Sequence, residues 1–527
     1  MRTYGRSTIY LNYTEKELLS LSTQDQIDLI ISNLPQIIEI HENNKTDSNY
    51  LWEYYLGKQD ILEKEKQTRK DINNKKVENW AYATVDFKKS WLLGRPIQYT
   101  MLDSSSSNEI ELLNKYCSYE NKASKDQFLY EDILVVGRGF RFIQKDNKTE
   151  DDEAPFSIIN IDNDKCEVIY SSKIGNEQLF SVVETVMMQL VPKKDTLGKV
   201  LLNEDGKELL QPEYYSEYEI YLRNKSFTIT MKNGQPEYVE GSIKYNVLNL
   251  QPIKEWYVNR NRISLIELGK DIFDGINQLE SLDFDDMQQF VNAIMVFTNA
   301  DVDKEGLDAI KELGAVKIKS TENRKASVSL LEQRLNASDT QVFYTRLLTS
   351  LHSILGIPMQ SDNGSVTSGD TGRAKLTGQG FTSAGIRLKS DETMIKDCDK
   401  ASLKNILKIC RETNSSKIKK LKTSDIEAQI DMDKSENLLV KAQGLQTLLS
   451  ANIPKEYAVP VVNLFNDSTA VVNSMKQNEE DNKKNIEMQQ KQNINNAQIL
   501  KNKNINQDIN QQNNKVNNIM QKAEQDM

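Results

Sequence analysis

Residues 264–293, SLIELGKDIFDGINQLESLDFDDMQQFVNA, limit the fold of this chain more than any other stretch. Leu265, Leu268, Ile272, Ile276 and Leu279 recur at helical spacing and form one apolar stripe. Asp271, Asp274, Glu280, Asp283, Asp285 and Asp286 make the rest of the helix acidic, as a solvated face would be. A helix with a single apolar stripe needs neighbours to cover it. A second long helix, SDTQVFYTRLLTSLHSILGI, is expected over about 338–357. Between the two lies a short α/β insertion, with strand-like IMVF and AVKIK around a small helix. The glycine-rich SDNGSVTSGDTGRAKLTGQG (361–380) follows, and a long helical run covers about 371–412.

The flanking regions place these helices in an α+β chain. Residues 1–60 read as helical pieces, EKELLSLSTQDQIDLIISNLPQIIEIHENN and then LWEYYLGKQDIL. In residues 71–100, Val77, Trp80, Ala81, Thr84 and Val85 predict a helix that Gly94-Arg95-Pro96 stops. One helix is expected over SNEIELLNKYCSYENKASKDQFLYEDILVVG. From 139 to 260 the pattern alternates as strands do, in GFRFIQK, FSIINID, KCEVIYSS, LFSVVETVMMQLV, YSEYEIYLRN and SFTITMKNGQPEYVEG. Asn233-Gly234 marks a hairpin, and the sheet is expected to be mainly antiparallel. Residues 425–476 predict one strand (DIEAQIDM) and two helices that turn at Pro454. From about 477 close to half the residues are Asn or Gln, a tail that is either disordered or helical.

Composition argues against most chemistry. The 527 residues allow two to four domains, and no apolar window is long enough for a membrane span. The N-terminus lacks the apolar centre of a signal peptide. Cys117, Cys166, Cys398 and Cys410 are far apart, and His41 and His352 are the two histidines, so neither metal spacing nor a disulfide framework is present. The glycine-rich segment fails as a phosphate loop: Asp370-Thr371 follows Gly364 and Gly369 where Lys and Ser/Thr must stand. Gly137-Arg138-Gly139-Phe140 reads as a strand-end turn, and the carboxylates at 150–153 as a solvated loop. No catalytic residue, cofactor site or metal site is expected. A net charge of −10 opposes wrapping of nucleic acid, but it suits a wall past which nucleic acid must slide without sticking.

Several blocks together carry a family resemblance. YYLGKQDIL (54–62) and NKKVENWAYATVDFKKSWLLGRPIQY (74–99) resemble the N-terminal signature of tailed-phage portal proteins from siphophages of Gram-positive bacteria. Asn74, Val77, Asn79, Asp86, Leu93, Gly94 and Pro96 fit that pattern. Three later blocks follow in order: DIFDGINQLESLDFDDMQQFVNAIMVF (271–297), LHSILGIPMQSDNGSVTSGDTGRAKLTG (351–378) and IDMDKSENLLVKAQGLQTLLSANIPKE (430–456). Gly372-Arg373-Ala374 is a near match to the family's Ser-Gly-x-Ala, and the Asn/Gln tail lies outside the pattern.

The resemblance implies a portal fold. Its α/β wing would take 1–263, stem helices 264–293 and 337–357, and a small α/β clip 294–336. A tunnel loop would take 358–371, a tunnel helix with a returning wing strand 372–433, and a helical crown 434–476, with the tail at 477–527. The acidic stripe would then be a candidate pore lining. Ser361, Asp362, Asn363, Gly364, Ser365, Val366, Thr367, Ser368, Gly369 and Asp370 would form the tunnel loop. Arg373, Lys375, Arg387 and Lys389 are candidates to face DNA, and glycines at 378, 380 and 385 predict that the tunnel helix kinks or starts late.

The implied protein is not an enzyme. It forms a ring, usually of twelve copies, at one capsid vertex of the virion, after assembly in the host cytoplasm. Its implied partners are double-stranded DNA in the channel, terminase, the major capsid and scaffolding proteins, and a head-tail adaptor, with no membrane. Two other readings compete: a non-viral cytoplasmic helical scaffold, and a metal-dependent nuclease using Asp283, Asp285 and Asp286.

Overall fold

The computed structural model describes residues 4–67, 70–102, 108–146, 153–193, 199–202, 208–232, 234–291, 294–298, 325, 327–331, 337–358, 381–430, 438–462, 464–465 and 468–525. Its helices are α1 (Glu15–Ser20), α2 (Thr23–Tyr55), α3 (Trp80–Leu93), α4 (Asn108–Tyr119), α5 (Lys122–Val136), α6 (Leu265–Val291), α7 (Ala337–Leu355), α8 (Phe381–Glu412), α9 (Leu438–Ser450), α10 (Lys455–Val462) and α11 (Ser468–Gln525). Its strands are β1 (Ile9–Leu11), β2 (Gln98–Met101), β3 (Gly139–Lys145), β4 (Phe156–Ile161), β5 (Cys166–Ser171), β6 (Gln178–Pro192), β7 (Leu210–Tyr221), β8 (Lys225–Lys232), β9 (Gln235–Tyr238), β10 (Lys244–Tyr245), β11 (Ile253–Trp256), β12 (Ile294–Thr298), β13 (Ser327–Leu331) and β14 (Ile426–Gln429). The chain is therefore α+β. It divides into two units, residues 1–99 with 109–435, and residues 100–108 with 436–527.

In the first unit the strands form a sheet in the order β1-β5-β6-β7-β8-β10, with β9 on β8, and successive side chains turn to opposite faces. One face carries Phe180, Val182, Tyr218, Ile220, Phe227 and Ile229, which pack on Ile27, Ile30, Leu34 and Ile37 of α2. The other face carries Cys166 and Val168, which pack on Phe140 and Ile253 of a smaller sheet, β11-β3-β4. β8 and β9 pair antiparallel across the expected hairpin, where Gly234 has φ +77°; Asn233 lies outside the described residues. One pairing is not antiparallel. β1 joins β5 in parallel, a long-range contact that local alternation cannot announce.

Three helix boundaries differ from the sequence expectation. α2 runs unbroken to Tyr55 and takes in the first five residues of the second helical piece, with Pro35 on its exposed side. α3 begins at Trp80, because the Asn79 side chain accepts from the Tyr82 N–H at 3.1 Å and caps it, leaving Val77 in an extended lead-in. The single helix expected over 107–137 is two, α4 and α5, broken at Asn121 with φ 52°. Asn reaches that left-handed conformation at lower cost than other non-glycine residues.

α6 and α7 pack together, and β12 pairs with β13 antiparallel in full register. The small helix and the AVKIK strand expected between them lie outside the described residues. In the second unit α10 and α11 are tied by Lys476–Glu456 at 2.8 Å and by Lys455–Glu479, over buried Ala458, Val459 and Val472. The Asn/Gln tail, for which disorder and helix both stood open, is described as part of α11.

Candidate functional site

Residues 73–79 run extended beside α6, and their geometry joins two of the sequence blocks. The N–H groups of Asn74, Lys76 and Glu78 donate to Asp285 Oδ1 (2.6 Å), Ser281 Oγ (3.0 Å) and Asn277 Oδ1 (2.7 Å). Every second residue of an extended chain advances about 6.6 Å, and every fourth residue of a helix about 6.0 Å. The two repeats match closely enough for three successive bonds. Asn74 Nδ2 adds a bond to Asp285 at 2.8 Å, while Asn79 Nδ2 donates to the Tyr55 carbonyl at 2.9 Å.

This ladder also accounts for much of the acidic stripe. Lys64 and Lys66 reach Asp285 at 3.0 and 2.6 Å, Lys76 reaches Glu280 at 3.0 Å, and buried Lys270 bridges Asp274 and Asp60 at 2.6 Å each. Burial raises the Asp285 carboxyl, but the lysines and the Asn74 N–H outweigh it and hold the group at about 2. Of these three acids Asp285 is buried, while Glu280 and Asp274 keep about a quarter to a third of their side chains in water. They are internal docking points for their own chain.

The same facts bear on the nuclease reading. Asp283 and Asp285 stand roughly 200° apart on the helix. The Asp285 carboxylate is already occupied by two lysines and Asn74, so the three acids do not converge on one ion. The apolar stripe is borne out at Leu265 and Ile276 but displaced elsewhere. Ile266, Phe273 and Ile276 are fully buried, whereas Leu268 is 52% exposed.

The start of α6 is held by a Ser264–Glu267 capping box, with Ser264 N–H to Glu267 Oε2 at 2.7 Å and Glu267 N–H to Ser264 Oγ at 2.9 Å. Glu267 also takes the Gly5 N–H at 3.0 Å and a bond from Arg6. The Ser-x-x-Glu spacing was the available sequence signal for this cap. Gly269 lies where a Cβ would meet the Phe273 ring at 2.6 Å and Leu355 at 3.1 Å, which allows α7 its close approach.

α8 is seated by a buried polar row. Asp391, Asp399 and Ser402 share its inward side with Ala384, Leu388 and Ile395. Asp399 pairs with Lys122 at 2.9 Å and accepts from Tyr99 Oη at 2.9 Å. Lys122 also holds Asp126 at 2.7 Å, and Arg141 reaches Asp126 at 2.6 Å while lying over the Trp256 ring. Trp256 Nε1 donates to Ser402 at 3.1 Å, and Tyr130 Oη donates to Asp391 at 2.8 Å. Burial pulls the Lys122 ammonium down, but Asp126 and Asp399 overcome it, so this group stays charged.

The comparisons bear directly on this arrangement. The family model described as phage portal protein, SPP1 Gp6-like, matches residues 34–520. The chain belongs to the SPP1 Gp6-like phage portal family. A curated relative, the portal protein of Bacillus phage SPP1, is 22% identical over 311 residues, 53% of this chain and 56% of the relative. The alignment thus spans about half the length of the curated relative it matches.

Within the portal family reading, the candidate channel residues are unevenly placed. Residues 361–370, Arg373 and Lys375 lie outside the described residues, as do Gly378 and Gly380 of the expected kink. From Phe381 to Glu412 the helix is continuous through Gly385. Arg387 and Lys389 are both exposed but sit roughly 200° apart on α8, so they point to opposite sides. Arg387 donates to the Ile354 carbonyl at 3.0 Å and packs across Gly356, whose φ of +67° ends α7. It therefore serves as a cationic C-cap for α7. Lys389 lies away from the buried side of α8. His352 rests edge-on against Trp80 at 6.0 Å, a packing role.

Proposed function

We propose that this chain is the repeating subunit of a portal ring at one capsid vertex, through which double-stranded DNA is packaged and later leaves. The observation that carries the reading is the family match across residues 34–520, which takes in the ladder between residues 74–78 and α6. In this reading residues 1–263 are the wing, 264–293 and 337–357 the stem, 294–336 the clip, 358–371 the tunnel loop, 372–433 the tunnel helix with its returning strand, and 434–476 the crown.

The physical logic favours a passive conduit. DNA that must move in both directions needs a wall that does not bind it tightly, and a chain of net charge −10 repels phosphates on average. Isolated cations such as Lys389 would make weak, screened contacts with the duplex as it passes. The driving force would come from a separate ATP-hydrolysing terminase docked at the clip. Capsid, scaffolding and adaptor proteins would take the outer and lower surfaces, and the subunit itself would carry out no reaction.

Sedimentation and negative-stain imaging of the purified chain test this. Rings with a central hole wide enough for a duplex are expected, about 20 Å or more. A monomer at every concentration and in assembled particles would sink the reading.

A further inference from the structure

β6 and β7 outrun the sheet that holds them. β5 pairs with β6 only over Gln178–Val183, and β8 with β7 only over Glu217–Tyr221. Beyond Glu184 the two strands pair with each other, from Val186↔Ser216 to Pro192↔Leu210. Among the described residues this is a two-stranded ribbon about 20 Å long.

Register assigns its faces. Val186, Met188, Leu190, Pro192, Leu210, Pro212, Tyr214 and Ser216 share one face, and none of them is charged. Val186 is 59% exposed, Met188 57%, Leu190 60%, Leu210 53% and Tyr214 66%. The opposite face mixes Met187 and Val191 with Gln189, Gln211, Glu213 and Tyr215. The apolar face continues the one that α2 covers further in, at Val182, Tyr218 and Ile220. Glu184, bonded to Lys45 and Ser216, marks where that cover ends.

We infer that this ribbon face is an interface with a second copy of the same chain, and the inference rests on the ring reading above. Two observations select that occupant. The face covers about 200 Å² (two strands wide and 20 Å long), far below the roughly 800 Å² per partner that a stable interface needs. It therefore works only as part of a larger contact, which adjacent subunits of a ring supply. Its lack of charge also matches the apolar composition of homo-oligomer interfaces better than that of transient ones. Docking is by the face and not by the strand edge. Pro192 and Pro212 lack the N–H groups that edge pairing would use, and a free two-stranded ribbon is marginal in water.

The test places a photo-crosslinking benzoylphenylalanine at Met188, or at Gln189 on the opposite face, in the full chain. Ring and monomer fractions are separated by sedimentation before irradiation. The Met188 probe is expected to give an adduct of twice the 60.4 kDa chain mass in the ring fraction, at least about tenfold above the Gln189 probe, and none in the monomer. Rings without that adduct, or a Met188 adduct to a shell protein in whole particles, overturn the ribbon assignment alone. A sample without rings overturns the ring reading together with it. As a second variant, Met188→Glu with Leu190→Glu should raise the concentration at which rings dissociate at least about tenfold while the protomer's circular dichroism stays unchanged. Unchanged ring dissociation would also overturn the assignment.

Discussion

At the residue scale, the most consequential side chain is one whose sequence context says nothing of its role. His41 sits in the polar run HENNK, yet it is buried between Glu167 (3.4 Å from Nδ1) and Glu184 (3.6 Å from Nε2). Arg138 holds the other side of Glu167, at 2.8 Å to Oε2, and Asn44 donates to it at 2.9 Å. Burial lowers the imidazole, but the two carboxylates prevail and lift it from 6.5 to about 9. Its contribution is therefore complete below pH 6.5 and is lost as pH rises through 9. The carboxylates have the opposite sign. Burial raises Glu167, Arg138 and His41 bring it down to about 2, and Glu184 is lowered as well. Their stabilisation holds above pH 4.5 and fails as pH falls toward 2. His41→Gln should cost about 3 kcal/mol at pH 6, with the gap to wild type closing by pH 10 in chemical denaturation. A gap that does not change with pH would show that the charge is irrelevant. Asp285→Ala should cost about 2 kcal/mol, because it strands an N–H and two partly buried lysines, and it should leave no magnesium-dependent nuclease activity to lose. Such an activity, present in wild type and abolished in a folded variant, would restore the nuclease reading.

At the element scale, most helices and strands are legible because each reports its own period. The alternation of β3 to β9 and the length of α6 and α7 were both readable, and the stop at Gly94-Arg95-Pro96 holds. What local pattern cannot supply is the partner. The stripe of α6 holds at Leu265 and Ile276 but misses part of the buried face, because Asn277, Ser281 and Asp285 are buried against residues 74–78, some 200 positions earlier. Buried polar residues of that kind look solvent-facing until their acceptors are found. At the α7–α8 junction, Gly356→Ala should destabilise by about 1–2 kcal/mol, since φ is +67° and the added carbon would lie 2.4 Å from Arg387 Cδ. Thermal melts check this. A neutral or stabilising result would mean the junction relaxes freely.

At the scale of the whole molecule, exposed apolar side chains on α6 and α7 would, in the proposed ring, separate protomer folding from assembly. Leu268, Met287, Val342 and Phe343 stand half or more in water. Leu268→Glu should change protomer stability by no more than about 0.5 kcal/mol while weakening ring formation, read by denaturation and sedimentation on one sample. A large loss of protomer stability would instead make Leu268 part of the core. By itself the sequence determined the α+β class, the long helices, the stop at Gly94-Arg95-Pro96, one hairpin and the family, because periodicity, turn chemistry and ordered motifs are local or additive along the chain. Only the tertiary structure decided which acids pair with lysines of their own chain, that His41 is buried between two carboxylates, that Arg387 caps α7, and that the β6–β7 ribbon leaves its sheet with a bare apolar face. Each of those depends on which distant group desolvates or neutralises a side chain, and that is a property of the packed chain.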